Sequence, residues 1–563
     1  MDSTTPFSAL TTRWLAALRS NRALVLLFVV AWSSTLYPIW RPRFLPLLDL
    51  PNHLDAIAIW HRYSIESWGY SRFYRLNLLP LPYWGYFFPV HMMAYAMPIE
   101  IANKVYLSAY ALFLPLGAAA LAKQMGRSPA LSLFAFPLVF NMNFSFGFIT
   151  FCAGMTLMLF ALVMLDRFLQ SPSRLRAAAL LVLTTFLYTT HVLPWLFFGV
   201  SATILLGSHL WGRVSDEKMG FRWPRVIAAA SMMLPSVALG IFAFRAAQDG
   251  STHVKAGPLD YRASFESLSP AIEQAIHRVV ATWPGERAIE IILGFAVLWM
   301  LMMVSQRSTA TDEPAQGTGY RYRLELLLLL ACAATLYLPM HLFKPVDLWM
   351  IGGRFVAVVA LFAVLLPRGP IRFAWPMRGG GRALLLVAAV GLHVYYCASL
   401  TRQWRAFDRR AAPLRRLCGR IPRGSSTLTL ILGELTDPSV EYQAVPYVQF
   451  HAYAQFFAGG YEPWALNTGF PMVPKPGKAL PSPRWKQPTQ FRFDQHGIYY
   501  DYILIRGEPF DHQMFGPDDA PRAPLVGHDG EWRLYKVADP QPTPVTPDAD
   551  TTEQEPEERS PAP

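Results

Sequence analysis

Along the first 400 positions, apolar runs of about 20 residues alternate with short segments rich in Lys and Arg. A run of that length, wound as a helix, crosses a bilayer core of roughly 30 Å. Counting runs by length and by their basic flanks predicts about eleven spans. The first covers residues 23–40, preceded by Arg13, Arg19 and Arg22 and followed by no small-residue cleavage site, so it reads as a retained anchor. Residues 83–97 are aromatic, short and interrupted by proline, the pattern of a re-entrant or interfacial helix. Spans are expected at 101–122, 130–146, 147–165, 177–190, 192–211, 226–244, 288–304, 324–340, 355–366 and 383–400. Basic residues sit in every second connection and are missing from the tips between 146 and 147 and between 190 and 192. The positive-inside bias then puts residues 1–22 in the cytoplasm, and two long loops, 41–82 and 245–286, on the outer side with everything after 400.

After residue 400 the pattern changes. Residues 427–432 (TLTLIL), 500–505 (YDYILI) and 531–537 (EWRLYKV) are short apolar or alternating runs and predict buried strands. Residues 448–457 predict a helix between them. The expectation is a soluble extracytoplasmic α/β domain over 401–537. Residues 538–563 are rich in Pro, Asp, Glu and Thr and read as a disordered tail. The fold class is thus a polytopic α-helical membrane protein with a C-terminal α/β domain.

Composition supports this. Of 563 residues 53% are hydrophobic and 16% charged, against about 25% charged in soluble domains. The net charge of +12 comes from arginines between apolar runs, which suits membrane lipids as partners and gives no argument for nucleic acid. Cys152, Cys332, Cys397 and Cys418 form no CxxC pair. The first two read as buried small hydrophobes, and a bridge between the last two is open outside the cytoplasm. No phosphate-binding Gly loop, HExxH, GxSxG or dinucleotide fingerprint occurs in a credible context.

Candidate chemistry gathers just past the first span, in residues 49–55 (DLPNHLD). Asp49 and His53 are four apart and share a face if the segment is helical. Pro51 suits a first helical turn, which would make Asp49 a cap and His53 an interfacial residue beside the aromatic belt of Trp60, Tyr63 and Trp68. Against this plain reading stands the density of titratable groups. Asn52, Asp55, Asn141, Asn143, His191, His341, Lys344, Asp347 and Arg354 fall at the same predicted outer level. Each alone is explained by solvation of a helix end. Together they predict an outward-opening polar cavity, with Lys344 and Arg354 suited to an anion such as a phosphate.

The order of these parts resembles the GT-C fold of integral-membrane glycosyltransferases, and within it a poorly characterised bacterial group. The likeness is carried by residues 49–54 (DLPNHL), 140–154 (FNMNFSFGFITFCAG), 188–194 (YTTHVLP), 353–355 (GRF) and, more weakly, 500–505. What the resemblance implies is a polyprenyl-phosphate-linked sugar donor, a glycan, lipid or protein acceptor, and a periplasmic site in the bacterial inner membrane. Asp49 would be the base or a ligand of a divalent cation such as Mg or Mn, with Asp55 the second carboxylate. Lys344, Arg354 and His53 would hold the donor phosphate, and His53 could instead join Asp49 on the metal. Asn52, Asn141, Asn143, His191 and His341 would line the cavity. Many GT-C enzymes carry closely spaced carboxylates in the first loop. Here Asp49 and Asp55 are six apart, which leaves the second carboxylate unassigned. The competing readings are a transporter or flippase of lipid-linked saccharide and a non-catalytic GT-C relative in polysaccharide assembly. The topology is tested by cysteine labelling at Thr311 and Gly459: reaction from opposite sides of the membrane is expected, and labelling of both from one side would sink the eleven-span orientation.

Overall fold

A computed structural model describes residues 22–79, 82–211, 223–248, 262–280, 286–305, 321–344, 348–369, 371, 381–438, 445–464, 471–484, 487–507, 514–516 and 519–541. Six helices among them are long and apolar enough to cross a membrane: Arg22–Trp40, Ile99–Gln124, Ile149–Gln170, Val192–Leu210, Trp223–Arg245 and Gly381–Cys418. The chain is a multi-pass membrane protein. Helix Ile149–Gln170 is the hub, enclosed over 78% of its apolar window against 22% for Arg22–Trp40. It packs on Ile99–Gln124, Arg174–Thr190 and Val192–Trp211.

With hydrocarbon outside as well as inside, burial of apolar surface discriminates little between helix partners, and polar contacts and close packing set the pairing. Thr35 on the first helix meets His393 on the last at 2.9 Å, both fully buried. Asp166, near the end of the hub helix, accepts from Gln124 Nε2 at 2.5 Å and Gln170 Nε2 at 2.6 Å, and pairs with Arg323. Glu325, two residues on, receives Arg127 at 2.6 Å and Arg368 at 2.7 Å. The first of these groups ties helices Ile99–Gln124 and Ile149–Gln170 to helix Arg323–Tyr337.

Several expected spans take another form. Residues 130–146 are not one helix: Pro129–Ala135 and Pro137–Phe140 are 3-10 segments, followed by the short turn Met142–Ser145. Pro137 has no N–H to continue a ladder, and Asn141 caps the next turn by accepting from Asn143 N at 2.9 Å. The span expected at 226–244 is present as Trp223–Arg245, with a break between Trp223–Ser231 and Leu234–Gln248 and Pro235 just inside the second helix. Val356–Ala363 is only 8 residues, about 12 Å of helix, too short to span alone. Residues 83–97 hold the 10-residue helix Trp84–Met93, in keeping with a re-entrant or interfacial segment. Residues 306–320, which include the Thr311 labelling position, lie outside the described residues, as does most of the 538–563 tail.

The last helix also exceeds its expectation. Gly381–Cys418 runs unbroken for 38 residues, so the boundary drawn at 400 falls inside it. The chain forms two compact units, one of residues 1–57, 78–412 and 435–449, the other of 58–77, 413–434 and 450–563.

In the second unit Thr427–Ile431 pairs in parallel with Tyr502–Arg506, which pairs antiparallel with Trp532–Lys536, and Leu525–Asp529 forms the edge. The two parallel strands are buried at every position, as their continuous apolar runs require. The expected helix is His451–Ala458. Tyr74–Leu76, from the first loop, pairs with Met472–Pro474 in this unit. In the first unit Arg262–Ser264, His341–Lys344 and Leu348–Trp349 form a three-stranded sheet joining two loops that the sequence left separate. All four cysteines are free, so Cys397 and Cys418 form no bridge.

Removing one partner of a buried ion pair leaves the other charge unpaired. Asp166→Ala is therefore expected to destabilise the protein by about 3–5 kcal/mol, read as a lower thermal midpoint in detergent, whereas Glu100→Ala, at a more exposed pair with Arg43, should change it by under about 1 kcal/mol.

Candidate functional site

Asp49 ends the chain segment that enters helix Leu50–His61. Its carbonyl accepts from His53 N at 3.1 Å, the first bond of the helix. The segment is fixed from the side: Leu48 N donates to Ser145 O at 3.0 Å and Asp49 N to Phe146 O at 3.1 Å. Gly147 makes this approach possible. Its φ is +78°, and a Cβ there would stand 2.8 Å from Asp49 N. His53, one turn on, donates from Nε2 to Gly147 O at 3.0 Å and sits edge-to-face on Tyr86 and Phe87, each at 5.5 Å. Leu48, Met142, Phe146 and Met350 close the floor beneath.

Across from Asp49 stands Arg354, 8% exposed. It ends the short turn Ile351–Arg354, whose preceding residue, Met350, has a left-handed φ of 53°. Asn143 Nδ2 donates to the Arg354 carbonyl at 3.0 Å, and Arg354 Nη2 donates to Trp349 O at 2.8 Å. The guanidinium lies 3.7 Å above the Phe148 ring, a stacking that suits a planar, weakly hydrated cation. Its Nη1 is 3.4 Å from His191 Nε2, and its Nε has no hydrogen-bond partner.

His191 joins helices Arg174–Thr190 and Val192–Trp211; its Nδ1 accepts from Leu193 N at 3.1 Å. Its ring meets Tyr83 and Phe151 edge-on, each at 5.5 Å. Tyr83 carries a φ of 86°, rare for a residue with a side chain. Tyr83 and Met350, two of the three non-glycine residues with positive φ among the described residues, thus flank this site, where backbone strain commonly collects. Two positions past Tyr83, Gly85 opens onto an apolar cleft of about 410 Å³ that Pro89, Tyr106, Phe113 and Leu157 also line. A Cβ at Gly85 would fall 2.0 Å from Thr190 Oγ1, so only glycine permits helix Trp84–Met93 to lie this close.

Among the described residues no hydrogen bond engages the Asp49 carboxylate, so it does not cap its helix. The side chain keeps some open surface while protein surrounds it densely, the condition of a group at the bottom of a cleft. Burial pushes its acid up to about 7, and the nearby Arg354 charge acts against that rise. Burial pushes the His53 imidazole down to about 4, so it is neutral near pH 7 and donates from Nε2. Burial also raises the Tyr83 phenol, again against Arg354.

The tertiary structure therefore brings Asp49, His53, Asn143, His191 and Arg354 together and adds Tyr83, Gly147 and Phe148, which the sequence reading did not assign to the site. The left-handed turn at Tyr83 leaves little local trace beyond the prolines before it. Other candidates are placed differently. Asn52 donates to Gln449 Oε1 at 2.7 Å, and Asn141 holds Leu138 O and the Asn143 backbone, so both build scaffold. Asp55 is fully buried, two positions from His53 and so about 200° round the helix from it. His341 lies in a strand opposite Trp349 and against Phe343. Lys344 ends that strand, and its side chain lies outside the described residues. No group of three or more His, Cys, Asp or Glu among the described residues could hold a metal. A divalent cation on Asp49 and His53 would need water and substrate oxygens to complete its shell, a usual arrangement for Mg²⁺.

Two crystal structures of ArnT from Cupriavidus metallidurans match nearly the whole chain. The apo form aligns with TM-score 0.52 and 10% identity over 94% of this chain and 99% of that one. The form bound to undecaprenyl phosphate aligns with TM-score 0.50 and 11% identity over 92% and 98%. The fold is GT-C. No family model and no curated protein matches the chain. At this identity the GT-C likeness carries the architecture alone, and residue roles rest on the geometry above.

The raised Asp49 acid gives a signed expectation. A carboxyl whose folded pKa of about 7 exceeds its unfolded value favours folding most at low pH, and that contribution is lost as pH rises through about 7. Asp49→Asn removes the cost of ionisation, so its thermal midpoint should exceed the wild type's by more at pH 8 than at pH 5. An equal difference at both values would show that Asp49 ionises as an ordinary surface carboxylate.

Proposed function

We propose that this chain is an inverting membrane glycosyltransferase, moving a sugar from a polyprenyl-phosphate donor to a hydroxyl of an envelope glycan, lipid or protein. The observation that carries the reading is the nearness of an unbonded Asp49 carboxylate, poised near pH 7, to a buried Arg354 guanidinium whose Nε has no acceptor. The lipid is supported by the undecaprenyl phosphate bound to the GT-C neighbour and by the apolar cleft beside Gly85, which fits an isoprenoid chain.

In this reading Asp49 takes the proton from the acceptor hydroxyl as that oxygen attacks the anomeric carbon. The bond from that carbon to the phosphate oxygen breaks, and the electron pair leaves with polyprenyl phosphate. Arg354, stacked on Phe148 and held by Asn143 and Trp349, stabilises the developing phosphate charge. One displacement without a covalent intermediate inverts the anomeric centre, by the geometry that governs inverting glycosidases. The alternative role for Asp49 is to hold a divalent cation with His53, which would add positive charge beside the same phosphate in place of the base. His53, neutral and fixed to Gly147, keeps the Asp49 turn in register. The site faces the periplasm of a bacterial inner membrane, with the N-terminus cytoplasmic and the second compact unit periplasmic.

The test replaces Asp49 by Asn and, separately, Arg354 by Ala, and then compares envelope glycans and lipid-linked sugars at equal protein level. Loss of a base should lower product formation by about 10²–10⁴-fold and let the lipid-linked donor accumulate. An unchanged product in Asp49→Asn would remove the catalytic assignment. In wild type the rate should rise with pH through about 7, as Asp49 ionises.

A further inference from the structure

The geometry points to His191 as a second hydrogen-bond donor to the phosphate that Arg354 holds. The inference rests on the glycosyl-transfer reading and concerns the same site.

The contact between Arg354 Nη1 and His191 Nε2, at 3.4 Å, first suggests that the imidazole accepts from the guanidinium. The other ring nitrogen excludes this. Leu193 N is a backbone donor and lies 3.1 Å from His191 Nδ1, so Nδ1 presents its lone pair. A neutral imidazole with a lone pair on Nδ1 carries its proton on Nε2. Two N–H groups therefore face one another, His191 Nε2–H and Arg354 Nη1–H, with no acceptor between them. Arg354 Nε is also without an acceptor. His191 is 1% exposed and Arg354 8%, so bulk water does not satisfy these groups freely.

Two buried N–H groups that face one another, His191 Nε2–H and Arg354 Nη1–H, require an acceptor between them, and the guanidinium favours one that carries negative charge. A phosphate oxygen meets that description; a neutral hydroxyl could accept from both but brings no charge to the guanidinium. The His191 ring is held edge-on by Tyr83 and Phe151, so little reorientation is open to it. The Leu193 bond thus makes His191 a donor when a phosphate is present, rather than a proton acceptor in the chemical step.

The experiment separates the two ring nitrogens. His191→Asn places Oδ1 near the Nδ1 position and keeps the Leu193 N–H capped, while removing the Nε2 donor. Full-length wild type and variant in nanodiscs are titrated with undecaprenyl phosphate and with undecaprenol, and inorganic phosphate is added as competitor. Wild type is expected to prefer the phosphate lipid, and His191→Asn to lose about tenfold or more for that lipid with undecaprenol binding unchanged. Competition by inorganic phosphate that weakens equally in the variant also supports the donor role, and assigns it to the phosphate group without the lipid. Equal phosphate-lipid binding by wild type and variant overturns the His191 role while leaving the transferase reading in place. Failure of wild type to bind the phosphate lipid overturns both. If His191→Asn does not fold, His191→Gln against His191→Met decides the matter: both lose the cap, and only Gln keeps a donor near the Nε2 position. Equal phosphate-lipid affinity in that pair removes the proposal.

Discussion

A guanidinium buried to within 8% of full enclosure and left short of acceptors is the constraint around which the first compact unit is arranged. A buried charge without hydrogen-bonded partners is costly, and proteins retain one where a ligand or a mechanism needs it. Every neighbour of Arg354 restrains it without neutralising it. Phe148 offers a ring face, Trp349 a carbonyl, Asn143 a hold on its backbone, and His191 a second N–H. Asp49 supplies opposite charge near enough to feel Arg354 but makes no hydrogen bond. This leaves both groups available to a substrate that brings an anion and a proton to be removed.

The scaffold that maintains this arrangement relies on irregular backbone. The 3-10 segments after Pro129 and Pro137 end at Asn141, whose cap turns the chain so that Asn143 reaches Arg354 and Gly147 reaches Asp49. A continuous helix over 130–146 would direct those residues around its whole circumference. Non-helical backbone at membrane depth is tolerated where protein buries it or where it lines a cavity, and residues 129–147 are almost entirely buried. Away from the site, the ion pairs of Asp166 and Glu325 fix the helices that carry these segments.

Features that depend on local pattern were legible before folding is considered. Apolar length marked the long helices because a bilayer sets that length; the runs at 427–432 and 500–505 marked strands because an enclosed strand is apolar along its length, and 531–537 marked one by its alternation. Asp49, His53, His191 and Arg354 were visible as polar residues in costly positions. Their relation was not, since Arg354 and His191 stand 163 positions apart and no local periodicity links them. Long-range packing is what leaves Asp49 free rather than a cap and makes Asn52 and Asn141 scaffold. Only it paired Tyr74–Leu76 with Met472–Pro474. The physical reason is that burial and electrostatic field belong to the surroundings a residue is packed into, and those are assembled from segments that the chain brings together only on folding.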